Sequence, residues 1–231
     1  MDAPHNLTPH FHDEMAQLKA RLLVMAGAAE EQVRDAMRAL VNRDYATAVR
    51  VLTGDEAINQ LHIEIDERCF QILALHQPVA TDLRAVVSAV KINSDLERVG
   101  DFAINIGEAT LRYLEQPSVK PLVDIPRMAD IAQGMLRDAL DAYVRQDTVL
   151  AQNVLDRDDS LDGLKDPVFR DLLGFMCSDN VVTQPALELL LISRHLERIG
   201  DHATNIAEEA IFIVSGLDVR HHGREGGAPT A

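Results

Sequence analysis

The chain has 231 residues, of which 47% are hydrophobic and only 4% aromatic, so it can bury a core and is not disordered as a whole. Its formal net charge is −15 and it has only four lysines, which disfavours direct nucleic-acid binding because phosphate contacts need a basic surface. Two cysteines exclude a disulfide or zinc framework, and no segment reaches the ~20 apolar residues of a membrane span. The first residues lack the pattern of a signal peptide, so we expect a cytoplasmic protein.

The first half of the chain is predicted to form three helices. Residues 1–9 are read as a polar, flexible arm, and helical spacing of apolar residues then predicts helices over about 10–43, 45–75 and 81–114. His76-Gln77-Pro78 ends the second helix, because a residue before proline disfavours helix, and Thr81 or Asp82 is expected to cap the third. Prolines 117, 121 and 126 predict a linker over 116–126.

The second half repeats this pattern. It is predicted to form helices over about 124–146 and 148–177, and a last helix from Thr183-Gln184-Pro185 to about Gly216. Pro167 is expected to kink or split the fifth helix. The sequence therefore predicts an all-α protein of two tandem three-helix bundles, 10–116 and 122–216, related by internal pseudo-symmetry, with flexible tails at 1–9 and 217–231.

A repeated motif in the third helix of each half is the most informative feature. Residues 93–108 read NSDLERVGDFAINIGE, residues 193–208 read SRHLERIGDHATNIAE, and nine positions are identical. A core needs only the apolar members to recur, whereas here Glu, Asp and Asn recur too. The first acidic stripe consists of Glu97, Asp101, Asn105 and Glu108, which fall within an ~80° sector of the helix; the second consists of Glu197, Asp201, Asn205 and Glu208. Gly100 and Gly200 lie within the stripes and indicate close approach of another helix, or room for a ligand.

A second acidic row lies on the preceding helix of each half. It comprises Asp55, Asn59 and Asp66 in the first half and Asp158 and Asp162 in the second. If the helices are antiparallel, the row can face the stripe, as in the metal sites of helix bundles. Carboxylates at i and i+4 repel by about 0.2–0.5 kcal/mol in an isolated helix, and a cation between them would reverse that sign. Oxygen ligands favour magnesium, manganese or iron. The alternative to a metal site is that these carboxylates form solvated helix faces.

The segments LERVGDFAINIGE (96–108) and LERIGDHATNIAEE (196–209), with Asp82-Leu83-Arg84, resemble the paired signature of the PhoU family of phosphate-transport regulators. The resemblance covers about residues 12–216. It implies an all-α, usually dimeric, intracellular protein that restrains the phosphate-starvation response. In this family the protein links the ATPase subunit of the phosphate ABC transporter to a sensor histidine kinase, so these would be the partners.

The resemblance also implies metal ligands on this chain. By the family motif these would be Glu97 with Asp101 and Glu197 with Asp201; the matching positions of the preceding helix are Asp55 with Asn59 and Asp158 with Asp162, and Asn105 and Asn205 are further candidates. Asn59 stands where the motif has an acid, which removes one charge from the first site. Metal identity does not follow from the resemblance, because the spacing fits iron, manganese, magnesium or zinc.

No catalytic set is evident, so we do not expect an enzyme. The chain has no Glu-x-x-His motif of the ferritin-like di-iron proteins, no phosphate-cradling glycine loop and no nucleophile elbow. Two alternatives to a metal-binding regulatory adaptor stay open: an oxidative enzyme with a carboxylate-bridged metal pair, and a structural adaptor bundle without metal. His195 and His202 flank the second motif and could either bind a ligand or pack.

Overall fold

The computed structural model describes residues 9–119, 122, 124–178 and 180–219. Within these ranges the chain forms helices and no β-strand, which confirms the predicted all-α class. The helices are α1 (Pro9–Asn42), α2 (Tyr45–Leu52), α3 (Asp55–His76), α4 (Ala80–Leu114), α5 (Asp124–Arg145), α6 (Thr148–Ser178) and α7 (Thr183–Ser215), with a 3₁₀ turn at Asn180–Val182. None of these helices is both long enough and apolar enough to cross a membrane.

The two halves have the same plan and pack side by side. Helices α1 to α4 form the first unit and α5 to α7 the second, and α4 lies against α7 while α1 contacts α5. The apolar positions of the repeated motif are core positions in both halves, since Leu96, Ile106, Leu196 and Ile206 are fully buried. The exact unit boundaries at 10–116 and 122–216 stay a prediction.

Matching N-caps show how closely the halves correspond. Asp44 precedes α2 and accepts a hydrogen bond from the backbone N–H of Thr47 at 3.0 Å. Asp147 lies 103 residues later, precedes α6 and accepts from the N–H groups of Val149 and Leu150, each at 3.0 Å. Each carboxylate satisfies N–H groups that a helix start leaves without a partner.

The predicted second helix, 45–75, is wrong as a single helix, because it breaks at Thr53–Gly54 into α2 and α3. At the break the carbonyl of Val51 accepts from the backbone N–H of Gly54 at 3.1 Å and also from Gln32 Nε2 of α1 at 3.1 Å. A Cβ at Gly54 would lie 3.3 Å from Gln32 Nε2, so glycine permits this close approach. The residue of α6 that corresponds to Gly54 is Arg157, and α6 has no break there.

The predicted cap of the third helix is also wrong. Helix α4 begins at Ala80 with Val79 as N-cap, and no side chain makes the capping bond. The hydroxyl of Thr81 instead accepts a hydrogen bond from Arg84 Nη2 at 3.1 Å. Thr81 and Asp82 are therefore already inside the helix rather than before it.

Two proline expectations need correction and one is confirmed. Pro126 lies in the first turn of α5, which begins at Asp124, so the linker is shorter than 116–126. Pro167 does not split α6, which runs from Thr148 to Ser178 through it, and a kink at Pro167 stays a prediction. Pro185 lies in the first turn of α7, as expected.

Of the expected flexible tails, 1–8 and 220–231 lie outside the described residues, while Pro9 belongs to α1.

Two buried glutamates tie α4 to α7. Glu209 accepts from Ser88 Oγ at 2.7 Å and from Lys91 Nζ at 2.8 Å. Glu188 accepts from Arg112 Nε at 3.0 Å. Because positions 88 and 188 correspond in the repeat, the two clusters lie at opposite ends of the α4–α7 contact and fix its register.

Candidate metal sites

Gly100 and Gly200 set the distance between each acidic stripe and the preceding helix. A Cβ at Gly100 would lie 3.0 Å from Ile58 Cδ1, and one at Gly200 would overlap Leu161 Cδ2. Ile58 lies between Asp55 and Asn59, and Leu161 lies between Asp158 and Asp162. The glycines therefore bring the two acidic rows of each half to the same level, and the predicted close approach of another helix is confirmed.

The second face consists of Asp158 and Asp162 on α6 and Glu197 and Asp201 on α7. Burial raises the pKa of Asp158 to about 6, and repulsion from the carboxylates of Asp162, Asp201, Asp159 and Glu197 adds to that rise. Burial also raises the pKa of Asp201, followed by repulsion from Glu197, while Arg198 acts in the opposite direction. The four carboxylates thus lie within electrostatic reach of one another.

A lysine is already part of this second face. Lys165 Nζ forms an ion pair with Glu197, whose side chain is only 16% exposed. The hydrogen bond to Glu197 raises the pKa of Lys165, and the charges of Asp162 and Asp201 favour its protonated form too. An ammonium group therefore lies where the carboxylates attract a cation.

The first face consists of Asp55 and Asn59 on α3 and Glu97 and Asp101 on α4. Asn59 Nδ2 donates to Asp55 Oδ2 at 2.7 Å, and the other oxygen of Asp55 is buried without a hydrogen-bond partner. Arg98 lies beside the stripe, with nitrogen atoms 3.1 Å from Asp101 and 3.8 Å from Glu97. This face has three carboxylates and one buried oxygen without a partner.

The donor chemistry of both faces fits a hard or borderline cation. Carboxylate and amide oxygens are the ligands of magnesium, manganese and iron. On the second face the Lys165 ammonium is a stand-in for a cation. On the first face one oxygen of Asp55 has no hydrogen-bond donor. Among the residues that the structure describes, no three His, Cys, Asp or Glu side chains already converge as ligands. A bound ion would therefore have to draw the side chains together by changes of rotamer.

The two asparagines of the stripes differ in position. Asn205 Nδ2 donates to Asp95 Oδ1 at 3.1 Å, so Asn205 is directed at α4 rather than at the carboxylates of α6. Asn105 is half-buried one turn beyond Asp101. Glu108 is 52% exposed and lies 3.8 Å from Arg112. The structure thus groups the Glu and Asp candidates with the preceding helix and leaves Asn205 outside that group.

The histidines beside the second motif lie at the contact of α4 with α7. His202 Nδ1 is 2.7 Å from Asp95 Oδ1. The Phe102 ring has its centroid 5.7 Å from that of His195 and 5.6 Å from that of His202. Burial lowers the pKa of His195, with the charges of Arg112 and Arg194 adding to the effect. His202 makes a hydrogen bond and a ring contact between the halves, whereas His195 makes a ring contact.

The sequence interpretation missed Lys165 and Asp95. Lys165 follows Asp162 by three residues and Asp158 by seven, which places all three on one helix face, so its spacing was a usable signal. Asp95 had no such signal, because its partners His202 and Asn205 belong to the other half of the chain.

Fold and site together define a class of duplicated helical-bundle proteins, in which each half has an acidic face and a glycine that lets the preceding helix approach it. The family model described as PhoU domain matches residues 22–110 and 125–210. A PhoU homolog of Pseudomonas putida is 40% identical over 95% of this chain and 86% of its own length, and one of Caulobacter vibrioides is 42% identical over 90% and 91%. The crystal structure of PhoU from Pseudomonas aeruginosa is 38% identical, covers 90% of this chain and 100% of its own, and superposes with a TM-score of 0.87. The chain belongs to the PhoU family.

Proposed function

We propose that the chain is a regulator of phosphate homeostasis that acts on phosphate uptake. The observation that carries this proposal is the identity of 40% over 95% of the chain to a protein named phosphate-specific transport system accessory protein PhoU homolog. Relatives with that name include one from Aquifex aeolicus, 38% identical over 93% of this chain and 97% of its own length. The match extends over both halves, so it supports a role for the whole duplicated bundle.

The proposed action is negative regulation of the phosphate-starvation (Pho regulon) response. The chain would work in the cytoplasm, as a homodimer, between the ATPase subunit of the phosphate ABC transporter and a sensor histidine kinase. A net charge of −15 suits basic surfaces on such partners. The transporter can change the output of the kinase only if its states differ in affinity for the adaptor.

The second part of the proposal is that the paired acidic faces bind divalent or transition metal ions, namely iron, manganese, magnesium or zinc. Its support is the grouping of four carboxylates on the second face, where burial and then mutual repulsion raise the pKa of Asp158 and Asp201, and the buried free oxygen of Asp55 on the first face. A cation would supply the partner that the Asp55 oxygen lacks on the first face and reduce the repulsion between carboxylates on the second.

Co-purification tests the partner proposal. The tagged full chain is expressed with the transporter ATPase subunit and the sensor kinase, and bound proteins are quantified after washing at low and moderate salt. We expect both partners to be recovered, with less at higher salt because exposed charges are screened. Recovery of neither partner, or equal recovery on a tagged acidic helical protein of another family, contradicts the proposal.

Plasma mass spectrometry of the purified protein tests the metal proposal. The test variant combines Glu97→Gln, Asp101→Asn, Glu197→Gln and Asp201→Asn. The control variant makes the same two kinds of change at exposed carboxylates, Asp13→Asn, Glu67→Gln, Glu115→Gln and Asp130→Asn. We expect metal in the wild type and the control and a loss of metal in the test variant. Equal metal in all three contradicts assignment to the two faces.

A further inference from the structure

We propose that Lys165 is a tethered cation of the second acidic face, and that a metal ion binds there only by displacing it. The first face is then the one that is open to metal in the resting protein. This inference rests on the proposed metal binding and concerns its regulation. It makes the two halves of a duplicated protein chemically different.

The two faces differ by a matched pair of residues. At the offset of 103, Asp162 replaces Asn59 and Lys165 replaces His62. The second face therefore has one more carboxylate and one more lysine ammonium than the first. The added cation compensates the added anion, which is the relationship expected of an internal counter-ion.

The Lys165 ammonium contacts the carboxylates of the second face. Its Nζ pairs with Glu197 of α7, and the carboxylates of Asp162 and Asp201 also attract its charge. The side chain is 47% exposed, so it can leave the face without disturbing the core. Leaving would uncover the four carboxylates of Asp158, Asp162, Glu197 and Asp201.

The corresponding histidine of the first half does not occupy its face. His62 Nε2 lies 3.7 Å from Asp66, a residue one turn further along α3. Arg98 lies 3.1 Å from Asp101 in the first half, and the equivalent Arg198 lies 3.8 Å from Asp201 in the second half. The arginines are therefore common to both faces, whereas the lysine is particular to the second.

Manganese titration of the full chain tests the inference, with free Mn²⁺ followed by electron paramagnetic resonance. The variants are Lys165→Met, Lys165→Arg, and Lys19→Met on α1 as a control with the same loss of charge. We expect Lys165→Met to add a binding site or to tighten Mn²⁺ binding roughly tenfold, the size expected for removing a unit charge about 5 Å from a divalent ion in water. Lys165→Arg and Lys19→Met are expected to bind as the wild type does.

Further substitutions assign the effect to one face. Adding Glu197→Gln and Asp201→Asn to Lys165→Met should abolish the gain, whereas Glu97→Gln with Asp101→Asn in the wild type should remove the resting site. If the wild type binds Mn²⁺ and Lys165→Met binds it identically, this inference is overturned and the metal proposal stands. If no variant binds Mn²⁺, both fail. Circular dichroism verifies folding, and Lys165→Gln serves as a second neutral variant.

Discussion

Asp95 of α4 and His202 of α7 join the two halves of the chain, with Asp95 Oδ1 2.7 Å from His202 Nδ1. In the repeat, position 95 corresponds to His195 and position 202 corresponds to Phe102. The equivalent contact is therefore the one between Phe102 and His195, whose ring centroids are 5.7 Å apart. One contact has been duplicated and has become polar on one side of the pseudo-twofold axis and aromatic on the other.

Asp95→Ala is expected to lower the free energy of unfolding by about 1–3 kcal/mol, because it removes the acceptor for two groups of α7. Those groups are His202 Nδ1 and Asn205 Nδ2, and the Asp95 side chain is only 14% exposed. Urea denaturation at pH 7 measures the change, with Asp13→Ala at an exposed site of α1 as control. An effect no larger than that of the control contradicts the assigned role of Asp95.

Substitution of glycine by alanine should separate packed glycines from exposed ones. Gly200→Ala is expected to lower the free energy of unfolding by about 1–2 kcal/mol, because the new methyl group meets Leu161 in the core. Gly27 of α1 has nothing within 4 Å of its Cβ position, so Gly27→Ala should raise stability by about 0.5–1 kcal/mol through helix propensity. Thermal and urea unfolding measure both. Equal stabilisation by the two variants would refute the close contact at Gly200.

The raised pKa of Asp158 gives a prediction about pH. The folded value of about 6 lies above the ordinary value of 3.8, so the folded state holds the proton more tightly. Between these values the free energy of unfolding falls as pH rises, since the folded state binds more protons than the unfolded state. Asp158→Asn, which cannot ionise, should therefore stabilise the protein at pH 7.5 in metal-free buffer and have a smaller effect at pH 4.5.

Urea denaturation at the two pH values provides the measurement. Asp130→Asn at an exposed position of α5 is the control and should leave the pH dependence unchanged. A loss of stability in Asp158→Asn at pH 7.5 would show that the carboxylate is stabilised rather than crowded. Added Mn²⁺ should stabilise Lys165→Met more than Lys165→Met combined with Asp158→Asn, because the ion favours the ionised form of Asp158 once the lysine is absent.

The Lys91–Glu209 pair is expected to stabilise the packing of α4 on α7. Glu209 is 4% exposed, so Lys91→Met leaves a buried carboxylate with a weaker set of partners. We expect a loss of about 1–2 kcal/mol in the free energy of unfolding. A double-mutant cycle with Glu209→Gln checks this, because the loss in Lys91→Met should shrink when Glu209 is already neutral. Additive losses would show that the two residues do not interact.

The repeat made much of this fold predictable. Periodic apolar residues and the prolines at 78 and 185 gave helix ends close to the observed ones, and the recurring Glu, Asp and Gly indicated the two faces. The break at Thr53–Gly54 was not predictable, because a glycine within a helical pattern is usually tolerated and Gln32, which bonds to Val51 at the break, is distant in sequence. The bonds of Asp95 depend on how α4 crosses α7, which no local spacing encodes.

Phosphate control in cells tests the central claim most directly. The gene of this chain is deleted, and a phosphate-repressible alkaline phosphatase and phosphate uptake are measured in phosphate-rich medium, with the wild type or the empty vector returned. We predict that both activities are high without the chain and fall to the repressed level when it is restored. Equal, repressed activities with and without the chain would contradict its assignment as a negative regulator of phosphate uptake.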